Sequence, residues 1–181
     1  MYEQSVDLLK RRGIELENGL TADEIVQIEK IYEIVFPKSL RDFLMVVLPV
    51  SNGFYDWRNR EQKNIEHIKD AISRPMRDIH DTPEEIYWCE DWGEEPADEE
   101  VFKREVIERL KTAPKLIPVY FHRYMPMVSD ENPPIMSVCG GDIIYYGADI
   151  QDYFEVEFNG KDQGAIDFES IRPVPFWTDL V

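Results

Sequence analysis

Two registers of hydrophobic spacing divide the chain. Up to about Thr112 apolar side chains recur every three or four positions, the repeat of helices with one buried face. Between Ala113 and Phe158 they form short runs fenced by Pro, Gly or Asx residues, the pattern of strands joined by tight turns. Residues 2–12 are read as a short helix with Val6, Leu8 and Leu9 inward and Gly13 closing it. Leu20-Thr21-Ala22-Asp23-Glu24-Ile25 is a complete helix start: Thr21 caps, Glu24 reaches back, and Leu20 staples to Ile25. The stripe Ile25, Ile28, Ile31 or Tyr32, and Val35 continues that helix to Pro37, which ends it and opens the next. Leu40, Phe43, Leu44, Val47 and Leu48 then form a core-facing helix stopped by Pro49.

Ser51-Asn52-Gly53 predicts a tight turn into Phe54-Tyr55-Asp56-Trp57, whose alternation reads as a short edge strand. Ile65, Ile68 and Ile72 define a helix over 61–73, broken or kinked at Pro75. A further helix runs from about Glu99 to Thr112, capped by Asp98, with Phe102, Val106 and Leu110 as its buried row. The strands follow at Leu116–Phe121, Ile135–Cys139 and Asp142–Tyr146, with Ile143, Ile144, Tyr145 and Tyr146 as core and strand residues. Asp149–Phe158 is a short helix with Ile150, Tyr153 and Phe154 inward, and residues 159–164 an exposed loop. Pro173, Pro175, Phe176 and Trp177 mark a C-terminal segment, 159–181, that packs back. With no repeat and no linker, the expectation for 1–181 is one α+β domain: a central, mostly antiparallel sheet flanked by helices.

Composition adds one strong fact. The 181 residues hold 37 acidic and 20 basic side chains, a net charge of −17. Nucleic acid and anionic membrane surfaces would be repelled, whereas a basic protein would be drawn in faster. The acids concentrate in 84–100, nine of them with no base: Glu84, Glu85, Glu90, Asp91, Glu94, Glu95, Asp98, Glu99 and Glu100. Ile86, Tyr87, Trp88 and Trp92 interrupt this run, so part of it should be anchored on the fold rather than disordered. No apolar stretch approaches the roughly 18 to 20 residues that cross a bilayer. The N-terminus lacks the apolar centre of a signal peptide, so a cytoplasmic protein is expected. Cys89 and Cys139 have no metal or disulfide spacing and are read as small core residues.

Catalytic patterns are missing from the sequence. His67, His80 and His122 show no ligand spacing, and no GxSxG elbow occurs. His122-Arg123 after a strand is read as a structural dyad, and Gly140-Gly141 as a turn rather than a phosphate loop. No enzyme activity, catalytic residue, metal or cofactor is therefore expected.

Several stretches together resemble the SUKH superfamily, the Smi/Knr-like proteins. LTADEIVQIEKIYEIVFPKSLRDFLMVVLPVSNGFYDW is similar to the family's opening of helix, Pro, second helix and polar-Gly turn. YWCEDWGEEP, APKLIPVYFHRYMP and NPPIMSVCGGDIIYYGADIQDYFEVEF resemble a bacterial branch, and the likeness spans about 20–158. Cys139-Gly140-Gly141 departs from the pattern, where a longer, more polar turn is the family expectation. The resemblance implies the same α+β fold and a binding role rather than catalysis. Many bacterial members are similar to immunity proteins that neutralise a toxin domain; others are general interaction modules. On that implication, joined to the charge, the expected partner is a cognate, basic, nuclease-like protein toxin. The candidate partner-binding residues lie where acids and aromatics coincide: Tyr55, Asp56 and Trp57, and Glu90, Asp91, Trp92, Glu94 and Glu95. The alternative is an interaction module of the same fold with no toxin partner.

Overall fold

A computed structural model describes residues 2–51 and 53–181. In chain order the first half comprises α1 (Glu3–Arg11), β1 (Leu16–Asn18), α2 (Ala22–Tyr32), α3 (Lys38–Val46), β2 (Val47–Pro49) and α4 (Gln62–Asp81). The second half comprises α5 (Glu99–Leu110), β3 (Leu116–Tyr120), β4 (Arg123–Pro126), β5 (Ile135–Cys139), β6 (Asp142–Gly147) and α6 (Ile150–Asn159). Strands β3 to β6 form one antiparallel meander in sequence order, and β1 pairs with β2 in a small second sheet. The fold is α+β.

Strands β3, β4 and β5 are buried on both faces, which explains why they read as continuous apolar runs, whereas the edge strand β6 alternates. Ile117, Val119, Met125 and Ile135 face one cluster, shared with Leu8, Leu9, Ile28, Phe43 and Phe154 from α1, α2, α3 and α6. Leu116, Tyr124, Met136, Val138, Ile143 and Tyr145 face the other, closed by Phe102, Val106 and Leu110 of α5 and by Val174, Phe176 and Trp177. The C-terminal segment therefore packs back on the sheet, and Trp177, fully buried, donates its indole N–H to Pro114 O at 2.9 Å. Pro118 lies on the edge strand β3, where its missing N–H spoils no central ladder. Gly147 at the end of β6 lies against α6: a Cβ there would come within 2.5 Å of the Tyr153 amide nitrogen.

Several sequence expectations are revised. Helix α2 stops at Tyr32, because Glu33 adopts φ 53 and turns the chain. Val35 consequently points out, 62% exposed, while Ile34 and Phe36 are buried in its place. Val47 and Leu48 are buried as expected but belong to β2, which pairs with Glu17 and Asn18 of β1. The strand expected at 54–57 reduces to a single bridge, Phe54 to Tyr120. The turn expected at Ser51-Asn52-Gly53 includes Asn52, which lies outside the described residues. Helix α4 continues through Pro75 for 20 residues. It has to: Ile68, Ala71 and Ile72 serve the first cluster and Ile79 the second, and burial at both ends offsets the roughly 3 kcal/mol that an internal proline costs. Strands β1, β2 and β4 were not foreseen as separate elements. Ile144 alternates outward at 36% exposure, Cys139 is exposed and Cys89 half-buried. The β5–β6 hairpin closes through Gly140-Gly141 with Cys139 opposite Asp142, and Gly140 at φ 58 supplies the left-handed turn.

The start of α2 follows the sequence closely. Thr21 accepts from Glu24 N at 3.2 Å and Glu24 returns the bond to Thr21 N at 2.8 Å. Arg58 locks this cap to the following loop, bonding Glu24 at 2.7 Å, Glu17 at 2.8 Å and the carbonyls of Asn18 and Gly19 at 3.0 and 3.1 Å. The Arg58 bond first, and the Thr21 amide second, pull the Glu24 carboxyl down to about 2 from its ordinary 4.5. A depressed carboxyl stabilises the fold above its unfolded value and loses that contribution as pH falls through the folded one. Glu24→Gln is accordingly expected to lower stability at pH 7 by about 1 kcal/mol, allowing for solvent screening. In denaturant melts the gap between the two proteins should shrink as pH falls from 4.5 towards 2; a pH-independent gap would contradict the linkage.

Candidate functional site

Residues 82–98 join α4 to α5 without regular helix or strand, and here the acids collect. A 3₁₀ turn at Pro83–Glu85 leads into extended backbone at Ile86, and a second 3₁₀ turn at Glu90–Trp92 precedes Gly93. Extended backbone alternates sides, so Ile86 is buried, Tyr87 points outward and Trp88 turns back in. Pro83 and Ile86 plug one end of the segment into the fold. Trp88 and Trp92 anchor the other, meeting edge-to-face at 5.3 Å, with Trp88 against Phe102 and Trp92 stacked on Phe176 at 6.0 Å.

Arg109 of α5 lies over both indoles, its guanidinium carbon 5.7 Å from the Trp88 ring and 5.0 Å from that of Trp92. It also donates to Trp92 O at 3.2 Å. Trp92 Nε1 donates to Asp179 at 2.8 Å and Trp88 Nε1 to Gly93 O at 2.8 Å. A guanidinium over indole faces is worth about 0.5 to 2 kcal/mol per contact as it loses water. The segment is therefore clamped from below while its seven carboxylates, and Glu99 and Glu100 at the start of α5, remain exposed. One base reaches them from α5: Lys103 sits 2.6 Å from Glu99 and 3.9 Å from both Glu84 and Glu100.

The two candidate groups do not come together. Tyr55 and Trp57 are 6% and 3% exposed and belong to the first core cluster. Trp57 wedges edge-on between Tyr32 at 5.4 Å and Phe36 at 5.1 Å, and the Tyr55 hydroxyl donates to Phe121 O at 2.7 Å. Asp56 accepts the amides of Arg58 and Asn59, both at 3.2 Å, so it shapes the local turn. This trio is scaffold, and its aromatic rings offer a partner no surface. In the second group Trp92 is likewise engaged from below, whereas Glu90, Asp91, Glu94 and Glu95 face solvent. The exposed anchor is Tyr87, 89% exposed among those acids and absent from the candidates chosen by sequence. The signal for it was period-two alternation through Ile86-Tyr87-Trp88.

Among the described residues no group of three or more His, Cys, Asp or Glu is placed to hold a metal, and no helix is long and apolar enough to cross a membrane. No protein-family model matches the chain, and neither a characterised protein nor a solved structure matches it.

Removing the clamp should loosen the segment without touching its charge. Arg109→Met is expected to lower stability by about 1 to 2 kcal/mol and to shift tryptophan emission to longer wavelength as Trp88 and Trp92 gain water. Converting Glu90, Asp91, Glu94 and Glu95 together to their amides should leave stability within about 1 kcal/mol of wild type and emission unchanged. A large loss on amidation would mean that the carboxylates are structural.

Proposed function

We propose that this protein is an immunity-type binding protein that occupies and neutralises a basic, nuclease-like toxin domain through the face carrying Tyr87 and the carboxylates of 84–100. The observation carrying the proposal is a single outward aromatic, Tyr87, set among exposed carboxylates on a clamped base. A nuclease binds phosphates in a basic cleft, and a fixed array of carboxylates presents a comparable spacing of negative charge to that cleft. Such fields raise association rates by about 10 to 10³-fold at low salt. Charge gives speed; retention needs a desolvated anchor, and tyrosine is among the side chains best suited to it. The resemblance to Smi/Knr-like proteins supports the toxin as the kind of partner, and the charge supports its being basic. On this reading the protein acts by binding and has no catalytic role.

Co-expression is the test. Cells producing a basic nuclease toxin from the neighbouring operon should survive when this chain is present. Tyr87→Ala should weaken the complex by about 2 kcal/mol, roughly a 30-fold rise in Kd, chiefly through faster dissociation. The four-fold amide variant should instead slow association about tenfold at low salt and weaken its salt dependence. Failure to protect against any such toxin would sink the immunity reading. Stable capture of a partner that is not a toxin would favour an interaction module of the same fold.

A further inference from the structure

Helix α4 borders a second feature, away from the acidic segment. A cleft of about 350 Å³ opens between α4, the residues Val50, Ser51, Gly53, Phe54 and Tyr55, and the two-residue turn joining β3 to β4. Its volume lies at the lower end of the range for small-molecule sites. Two of the chain's three imidazoles, His67 and His122, line it together with Arg74 and the ring of Phe121. His67 and Arg74 are seven positions apart, two helical turns, and so share one face of α4.

The walls of this cleft are fixed. Phe121 has φ 45, a left-handed conformation that is an outlier for a bulky side chain. The surroundings hold it there: its N–H donates to Gly53 O at 2.7 Å and its carbonyl accepts the Tyr55 hydroxyl at 2.7 Å. The carbonyl of His122 accepts from Val138 N at 3.0 Å, which seats the turn on the sheet. The result of this strain is to present the Phe121 ring at the mouth, 48% exposed, and the His122 imidazole beside it. On the opposite wall the His67 ring stacks on Tyr55 at 5.6 Å and 18°, leaving its outer face to solvent.

Acidic and basic groups are close to balanced at the cleft. Asp70 accepts one N–H each from Arg74 and Arg77, both at 2.7 Å, and Arg77 also lies 3.9 Å from Asp78, so these four groups sum to zero. Nε and Nη1 of Arg74 have no partner among the described residues and remain able to donate. Arg123, next to His122, is committed elsewhere, to Glu157 at 3.2 Å and Ser137 at 3.0 Å, with its guanidinium over Tyr146. Burial and the neighbouring Arg123 lower the His122 pKa, while Glu157 and Asp142 oppose them more weakly. The free imidazole is therefore held towards its neutral form, and an anion placed beside it would favour its protonation.

We propose that this cleft binds a small aryl or heteroaryl anion, its acid group held by Arg74 and His122 and its ring stacked on His67 or Phe121. A carboxylate or phosphate monoester matches the guanidinium fork, and a planar ring matches the exposed rings of His67 and Phe121. The site stands apart from the acidic face and its proposed partner, so either assignment can fail alone.

The histidines themselves report the test. In the full-length protein with labelled histidine, the ring resonances of His67 and His122 are followed as phenyl phosphate is added at constant pH. His80, 64% exposed near the C-terminal end of α4 and outside the cleft, is the internal reference. Saturating shifts at His67 and His122 with His80 unmoved are expected. Inorganic phosphate should bind about fivefold more weakly for want of a ring, and Arg74→Gln should weaken phenyl phosphate about tenfold. His122→Asn, on an exposed turn, should produce a comparable loss at the His67 resonance should the Arg74 variant prove unstable. No saturation, or equal shifts at all three histidines, would overturn the site. Equal affinity for inorganic phosphate would overturn its aryl preference.

Discussion

A four-stranded antiparallel meander with apolar side chains on both faces cannot stand in water, and the rest of the chain is arranged around that constraint. Helices α1, α2, α3 and α6 close one face through Leu9, Ile28, Phe43 and Phe154. The other face is left to α5, to the C-terminal end of α4 at Ile79, and to Val174, Phe176 and Trp177. Part of this second cover is an irregular tail, and the acidic segment completes it. Trp88 packs on Phe102 of α5 and Trp92 on Phe176 of the tail, so the segment joins α5 to the tail. Burying both faces of the sheet thus requires chain to pass where the acids lie, and Arg109 fixes it there by meeting both indoles.

The same arrangement separates two tasks within 84–100. Ile86, Trp88 and Trp92 turn inward and carry packing, while Tyr87 and nine carboxylates turn outward. Like charges crowded along one segment repel one another, over a Debye length of about 8 Å at physiological salt. Left free, the segment would spread; clamped, it keeps its carboxylates concentrated on one surface. On the proposed function, a basic partner would relieve the repulsion on binding and so give the segment a thermodynamic as well as a kinetic reason to bind. The cleft beside His67 and His122 follows a related logic at smaller scale. There Phe121 is held in a strained conformation by Gly53 and Tyr55, beside an arginine, Arg74, that spends one of its nitrogens on Asp70.

Most of the fold was legible in the sequence because its helices and strands differ in hydrophobic period. The Thr21 capping box, the Asp98 cap, the buried row of α5 and the β5–β6 hairpin all follow from local rules. What escaped was set by tertiary context. Pro75 reads as a helix end, yet α4 must reach both core clusters and therefore passes through it. Val47 and Leu48 continue a helical stripe, yet they pair with β1, a three-residue strand too short to carry a period of its own. Trp57 and Tyr55 are large aromatics flanking an acid, a local composition close to that of Tyr87 and Trp88 between Glu85 and Glu90. Only packing distinguishes a core tyrosine from an exposed one. Within the acidic stretch the composition indicated a surface, and the side on which each aromatic lay depended on a backbone geometry that helical or strand periodicity does not describe.

The central claim is that the acidic segment is an ordered surface, preorganised before any partner arrives. Backbone ¹⁵N relaxation of the free protein across residues 84–98 measures this directly. The structure predicts order parameters near those of α5, about 0.85, at Ile86 through Gly93. Values below about 0.6 over the same residues would mean a flexible acidic tether and would contradict the account.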